Sequence, residues 1–519
     1  MQLTSIIKRA AQVNPRGLAT VYKDRKQTWP QLVERVGRLA GALQKAGMKT
    51  GDRVAMLGMN SDRFIEYLFG VMWGGGVVMP MNLRWAPPES AYAIDNAGVK
   101  ILIVDDAFEA MVPAIRERTG NIKTVIFAGD RETPMDMMNY EEILEAADPV
   151  PDAGRGNEDL AGIFYTGGTT GFPKGAMLPH RGIYSSSLSC VWGFDLTDRA
   201  SYLHAAPMFH MADIAMMIST CLAAGTHIII PMFNPEATLE AIEAHRPTHV
   251  LLVPVMIRMM LESPEFDKTD VSSLKRIIYG ASSITESLLV KAMEKFAGCG
   301  FAQGFGQTEL SPVCTILDAK HHVLEGPYAG KLRSAGQATN TCEIKIVDPA
   351  GNELPAGKVG EILVKGPITM LGYWNNPDQT AATITDGWVH MGDGGYLDDD
   401  GFLFVVDRLK DMIVSGGENV YSAEVENAVT QHPDVAACAV IGIPSKKWGE
   451  SVHAIVILNK GAKATEDDIK KFCHTLIAGY KCPWTVEFRT EPFPLSAANK
   501  VLKTELRKPF WEGRTRRVN

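Results

Sequence analysis

A chain of 519 residues outgrows a single hydrophobic core, so two or more folded units are expected. With 46% hydrophobic and 22% charged residues it has the profile of a globular protein and excludes a disordered or fibrous one. A formal net charge of -8 argues against an extended basic footprint for nucleic acid, and the 8 cysteines form no Cys-x-x-Cys pair and no His/Cys group at metal-ligand spacing, as expected of free thiols in a reducing compartment.

The elements follow from the apolar pattern. Thr28, Pro30, the set Leu32, Val36, Leu39 and Leu43, and then Gly47 predict an amphipathic helix from Trp29. Apolar runs at 54–57, 77–79, 101–104 and 124–127 alternate with a helical stretch around 64–72. The rhythm continues at 162–165, 227–230, 249–253 and 276–279, and such short runs between helical patterns predict parallel sheets covered on both faces. Past residue 405 the pattern restarts, with runs at 436–442, 452–458 and 485–488 and a helix over 466–478 behind Thr465. The fold class expected is α/β: a large N-terminal domain of α/β subdomains with mostly parallel sheets, then a small α+β C-terminal domain. No run approaches the length of a membrane span and the first residues lack a signal-peptide core, so the expected location is cytoplasmic.

The segment Tyr165-Thr166-Gly167-Gly168-Thr169-Thr170-Gly171-Phe172-Pro173-Lys174-Gly175 directly follows an apolar run. Its glycines permit close backbone approach, so N–H groups wrap phosphate oxygens while the threonine hydroxyls and Lys174 add donors and charge. A plain surface loop is the alternative, disfavoured because this density of glycine and hydroxyl has little packing value. It is not a Walker A loop, since Pro173 precedes Lys174 and Gly175 stands where that motif places Ser or Thr.

Further segments follow in order: Tyr279-Gly280-Ala281-Ser282, Gly304-Phe305-Gly306-Gln307-Thr308-Glu309, His390-Met391-Gly392-Asp393-Gly394-Gly395-Tyr396, Asp407-Arg408-Leu409-Lys410-Asp411, Ser415-Gly416-Gly417-Glu418-Asn419 and Pro494-Leu495-Ser496-Ala497-Ala498-Asn499-Lys500-Val501-Leu502-Lys503. Together with the loop they resemble the motifs of the adenylate-forming superfamily of acyl-CoA synthetases, firefly-type luciferases and peptide-synthetase adenylation domains. The resemblance covers the chain from about residue 25 to 505. It implies that ATP activates a carboxylic acid as an acyl-adenylate, which is then passed to coenzyme A. The implied domains are 1–409, an AMP-binding domain holding ATP and the acyl pocket, and 410–519, a mobile domain hinged at Lys410.

The residue roles come with the resemblance. Thr166, Gly167, Gly168, Thr169, Thr170, Gly171 and Lys174 belong to the phosphates; Gly280, Ala281 and Ser282 form the adenine side with Phe305 and Gly306, Phe305 standing where Tyr is more frequent. Thr308 contacts phosphate, and Glu309, with Thr166, is the implied ligand of Mg2+, a hard cation that suits a carboxylate. Asp393 accepts from the ribose hydroxyls, a task fitting an ionised carboxylate, although an Asp-Gly pair alone reads as a turn. Arg408 contacts ribose or phosphate; Ser415, Gly416 and Gly417 line the pantetheine tunnel. Lys500 is the adenylation lysine, stabilising charge that gathers on the α-phosphate. Asn499 precedes it where the family has Gly, and Asn tolerates positive φ. Lys503 is the nearby rival for that role.

Within the superfamily, His210 follows Pro207-Met208-Phe209 where amino-acid adenylation domains place Asp, so an α-amino acid substrate, whose ammonium would go unpaired, is disfavoured. No carrier segment follows, and the ending Arg517-Val518-Asn519 is not a peroxisomal signal. The expectation is an AMP-forming acid–CoA ligase with ATP, Mg2+ and coenzyme A, monomeric or homodimeric, with no nucleic-acid partner and no transmembrane segment. Its acid is expected to be a medium/long-chain fatty acid or a hydroxycinnamate such as ferulate, by resemblance to bacterial fatty-acyl-CoA and feruloyl-CoA synthetases. Pocket candidates are His210, Met211, Met216, Val253, Met256, Tyr279, Gly280 and Gly304, and His210 is also a catalytic candidate. Methionines fit either acid, and at such spacings are more often plain core. The alternatives are a catalytically silent nucleotide- or acyl-CoA-binding homologue and an adenylating enzyme with another acceptor; the presence of Lys500 and Glu309 favours activity.

Overall fold

The computed structural model describes residues 1–166, 173–197, 200–282, 284–409, 411–416, 418–496 and 501–512. The helix expected behind Thr28 runs Trp29–Lys45, and the Gln31 side-chain oxygen accepts the Thr28 N–H at 2.8 Å and the Thr28 hydroxyl at 2.9 Å. Its stripe of Leu32, Val36, Leu39 and Leu43 is buried.

Two sheets with parallel centres organise the large domain. In the first, Leu160–Thr166, Val77–Pro80, Arg53–Leu57, Ile101–Val104 and Thr124–Phe127 lie side by side in that order. Val77–Pro80 and Ile101–Val104 are buried along their length, the two-sided burial that uninterrupted apolar runs foretell. In the second, Gly300–Phe305, Arg276–Gly280, His249–Leu251, Ser201–His204, Thr226–Ile229 and Leu18–Tyr22 are parallel neighbours in that order. The helix Asp62–Trp73 is buried at every position. Its charges are tolerated there because Arg25 lies 2.8 Å from Asp62, Arg35 2.6 Å from Glu66 and Glu141 3.0 Å from Arg63.

A third sheet is antiparallel: Glu343–Val347, Gly360–Lys365, Trp388–Leu397 and Leu403–Arg408 pair in that order. Apolar-run reasoning predicts no strand in the first of these stretches, because their burial is mixed along the strand.

The small domain has its own core. Val435–Ser445 pairs antiparallel with Gly449–Leu458, which also carries Thr485–Phe488 in parallel and touches the hairpin Ile413–Ser415/Glu418–Val420. On one face Val440 joins Val425, Val429 and Ile469 from the helices Ser422–Thr430 and Glu466–His474. On the other, Ala439, Ile441 and Ile455 meet Leu506 of the helix Lys503–Trp511. The helix expected over 466–478 thus ends four residues early, at His474. Among the described residues no helix is long and apolar enough to cross a membrane.

Candidate active site

The second sheet delivers the motif segments to one edge. Ser201–His204 leads to His210, His249–Leu251 to Val253, Arg276–Gly280 to Ala281 and Ser282, and Gly300–Phe305 to Gly306 and Glu309, and these strands are consecutive neighbours. Ligands of open parallel sheets collect at this carboxyl edge. Gly280 and Gly304 are register partners, and a Cβ on Gly280 would stand 2.2 Å from the Gly304 carbonyl oxygen, so the two strands approach too closely for a side chain. Ala281 then leaves the strand at φ +64°. Phe305 packs half-buried against the cluster of Leu310, Cys314 and Ile362.

The phosphate-loop candidates Gly167, Gly168, Thr169, Thr170 and Gly171 lie outside the described residues, but both ends of that segment are fixed. Leu160–Thr166 and Lys174–Pro179 form an antiparallel hairpin in which Thr166 and Lys174 are register partners. Lys174 Nζ donates to Gln379 Oε1 at 2.8 Å and stands 5.6 Å from the centre of the Tyr373 ring. Tyr373 Oη in turn donates to Glu309 Oε1 at 2.7 Å. Burial, then the Glu309 carboxylate, hold the Tyr373 phenol well above its ordinary pKa, so it remains a donor. Glu309 is only 8% exposed, in the turn Thr308–Leu310, and its main-chain oxygen accepts the Met370 N–H at 2.9 Å. Lys174, Tyr373 and Glu309 therefore form one junction. Glu309 Oε2 and the Thr166 hydroxyl make no hydrogen bond among the described residues, and a carboxylate and a hydroxyl are hard oxygen donors of the kind a divalent cation takes. No group of three or more His, Cys, Asp or Glu that could hold a metal occurs among the described residues.

Asp393 and Arg408 face each other across the third sheet as register partners, with Arg408 Nε 3.0 Å from Asp393 Oδ1. The Asp-Gly pair is thus not a turn but the middle of the strand Trp388–Leu397, and Asp393 is 5% exposed.

The pocket candidates divide. His210 caps Met211–Leu222, its Nδ1 accepting the Ala212 N–H at 3.3 Å. Met216, Val253, Met256 and Tyr279 share one apolar cluster, whereas Met211 belongs to a different one. Tyr279 is fully buried and its hydroxyl lies 2.9 Å from His322 Nε2. Since His322 Nδ1 faces the Asp318 carbonyl at 3.1 Å, Nδ1 carries the proton and Nε2 accepts from the tyrosine. Burial pushes the His322 imidazole down to about 4.

In the small domain Ser415 and Glu418 close a hairpin, and Gly416 turns at φ +63° with its N–H donating to the Trp448 carbonyl at 2.8 Å. Lys410, Gly417 and Lys500 lie outside the described residues. The loop around Lys500 is tied at its base: Leu495 bridges Val501, and the Leu502 N–H donates to the Pro494 carbonyl at 2.8 Å. Arg84 of the large domain reaches this base, Nη1 donating to the carbonyls of Leu495 at 3.1 Å and Ser496 at 2.5 Å. Lys503, the rival, is engaged inside its own domain, 2.7 Å from Glu426 and 2.5 Å from the Ser422 hydroxyl. Sequence reasoning missed Arg84, Tyr373 and Gln379. The available signal for the last two was the segment Gly372-Tyr373-Trp374 just before a helix opened by Asn376 and Pro377.

Residues 7–374 match the family model of AMP-binding enzymes, and residues 424–500 match that of the AMP-binding enzyme C-terminal domain. A feruloyl-CoA synthase from Amycolatopsis sp is 38% identical over 97% of this chain and 98% of its own. A long-chain-fatty-acid–CoA ligase, FadD13, from Mycobacterium tuberculosis is 33% identical over 97% of this chain and 98% of its own. The crystal structure of ATP-bound MatB from Rhodopseudomonas palustris superposes with a TM-score of 0.88 at 30% identity, covering 98% of this chain and 99% of that one. With both family models matched in order and full-length relatives above 30% identity, the chain belongs to the AMP-binding enzyme family.

Proposed function

We propose that this protein is an acid–CoA ligase that converts a carboxylic acid, ATP and coenzyme A into acyl-CoA, AMP and diphosphate. A carboxylate oxygen attacks the α-phosphorus, the bond to the leaving diphosphate breaks, and the acyl-adenylate forms. The thiolate of coenzyme A then attacks the acyl carbon and AMP leaves. The junction of Lys174, Tyr373 and Glu309 carries this reading: Tyr373 stands between an ammonium and a buried carboxylate, and Lys174 follows a glycine- and threonine-rich segment. Glu309 and Thr166 would hold Mg2+, which supplies neutralisation of phosphate charge. Asp393, steadied by Arg408, takes the ribose hydroxyls, and Gly280, Ala281, Ser282 and Phe305 take the base. Lys500 stabilises the charge of the first step, and Ser415, Gly416 and Gly417 line the path of coenzyme A in the second, after rotation of the small domain about Lys410.

A hydroxycinnamate such as ferulate stands first as the acid, because the relative named for it is 38% identical where the fatty-acid ligase is 33%. A medium- or long-chain fatty acid is the second reading, supported by the methionine-rich surroundings of Val253. Diphosphate release measured with a panel of hydroxycinnamates and fatty acids, with and without coenzyme A, separates them. Turnover with ferulate and little with palmitate supports the first; release with no acid at all would reject the ligase reading.

A further inference from the structure

Asp407, Ser422 and Lys503 have no part in the reaction just described, yet they form a continuous polar chain across the domain boundary. Asp407 lies next to Arg408, and its Oδ1 accepts the Arg408 N–H at 2.8 Å. Its Oδ2 accepts both the N–H and the hydroxyl of Ser422, each at 2.6 Å. Ser422 opens the small-domain helix Ser422–Thr430, which has no side-chain cap of its own. A carboxylate of the large domain thus caps a helix of the small one. The Ser422 hydroxyl, which donates to Asp407, accepts from Lys503 Nζ at 2.5 Å, and Lys503 lies 2.7 Å from Glu426. Burial opposes the Lys503 charge, but Glu426 and Asp407 more than offset it and hold the ammonium above its ordinary pKa. Lys503 starts the helix that leaves the Lys500 loop, whose base is held to Arg84 at Leu495 and Ser496. From Asp393 through Arg408, Asp407, Ser422 and Lys503 the ribose site is connected to the loop base by close polar contacts.

We propose that Asp407, Ser422 and Lys503 are positioning residues for adenylation, clamping the small domain in the orientation in which Leu495 and Ser496 meet Arg84 of the large domain. The proposal rests on the two-step, hinged reading above. Asp407 precedes Lys410 in the chain and Ser422 follows it, so rotation about Lys410 changes their separation. A contact made in one orientation and lost in the other favours only the step that uses the first.

The test is single-turnover measurement of the two half-reactions: diphosphate release from ATP and acid, and thioester formation from preformed acyl-adenylate. Ser422→Ala is expected to slow the first by about tenfold, the worth of a hydrogen bond to a charged group, and to leave the second unchanged or faster. Ser422→Thr is expected to restore the first step. Equal losses in both steps, or a loss confined to the thioester step, would overturn the proposal. Asp407→Asn, with the same readout, serves if Ser422→Ala fails to fold. Lys410→Pro is measured alongside. If Lys410→Pro separates the two rates and Ser422→Ala does not, the clamp alone is wrong; if neither separates them, the hinged reading falls with it.

Discussion

Tyr373 Oη donates to Glu309 Oε1 across 2.7 Å, joining a strand beside the phosphate-loop hairpin to the turn that follows the strand Gly300–Phe305. This bond uses one carboxylate oxygen, and under the proposed function the other would serve Mg2+. Glu309→Ala is expected to lower kcat/KM for ATP by roughly two orders of magnitude, with partial rescue at raised magnesium. Tyr373→Phe keeps the carboxylate but frees its orientation, so a loss of about tenfold is expected, again rescued in part by magnesium. Steady-state kinetics over a magnesium series checks both, and indifference of both variants to magnesium would remove Glu309 from the metal.

Asp393→Ala is expected to raise the KM for ATP by about tenfold or more, and magnesium is not expected to restore it, because the partner proposed for Asp393 is a ribose and not a cation. ATP titrations at two magnesium concentrations decide this. An unchanged KM would place the ribose elsewhere.

Arg84 holds the carbonyls of Leu495 and Ser496 at the base of the Lys500 loop. Arg84→Ala is expected to slow diphosphate release by about tenfold. The partners are neutral carbonyls, so the defect should persist in high salt, and an unchanged rate of diphosphate release would show that Arg84 does not support this segment.

His322 gives a stability signature. Burial holds its pKa near about 4, below its ordinary value, so between those values the unfolded chain binds more protons. Its contribution to stability is therefore complete above the ordinary histidine pKa and is lost as pH falls toward about 4, amounting to about 3 kcal/mol. His180 and His249 are shifted in the same direction by burial. Urea unfolding at pH 7 and pH 5 should show a smaller loss of stability for His322→Gln than for wild type. Equal losses would mean that His322 is not buried neutral.

Much of this architecture was legible in the sequence because its strands are apolar on both faces. The runs at 54–57, 101–104 and 276–279 reappear as Arg53–Leu57, Ile101–Val104 and Arg276–Gly280. Strand order was not legible, since pairing of Leu18–Tyr22 with Thr226–Ile229 joins segments far apart in the chain. The antiparallel sheet escaped notice because Glu343–Val347 has only its last two residues buried. Asp393 was legible only through resemblance; its local Asp-Gly signal points to a turn, and pairing with Arg408 overrides it. Tyr373 was marked only by the short segment Gly372-Tyr373-Trp374 ahead of a helix, and its importance arises from contact with Glu309 and Lys174, which lie far from it in the chain.

The two-step reaction stands or falls on the separation of its halves. With ferulate and ATP but no coenzyme A, the protein should release diphosphate in a burst equal to the amount of enzyme and retain feruloyl-adenylate; coenzyme A should then yield feruloyl-CoA and AMP. Lys500→Ala should lose the burst by at least about a hundredfold while still converting supplied feruloyl-adenylate to the thioester. Absence of any burst with hydroxycinnamates and fatty acids alike, or equal loss of both steps in Lys500→Ala, would contradict the assignment.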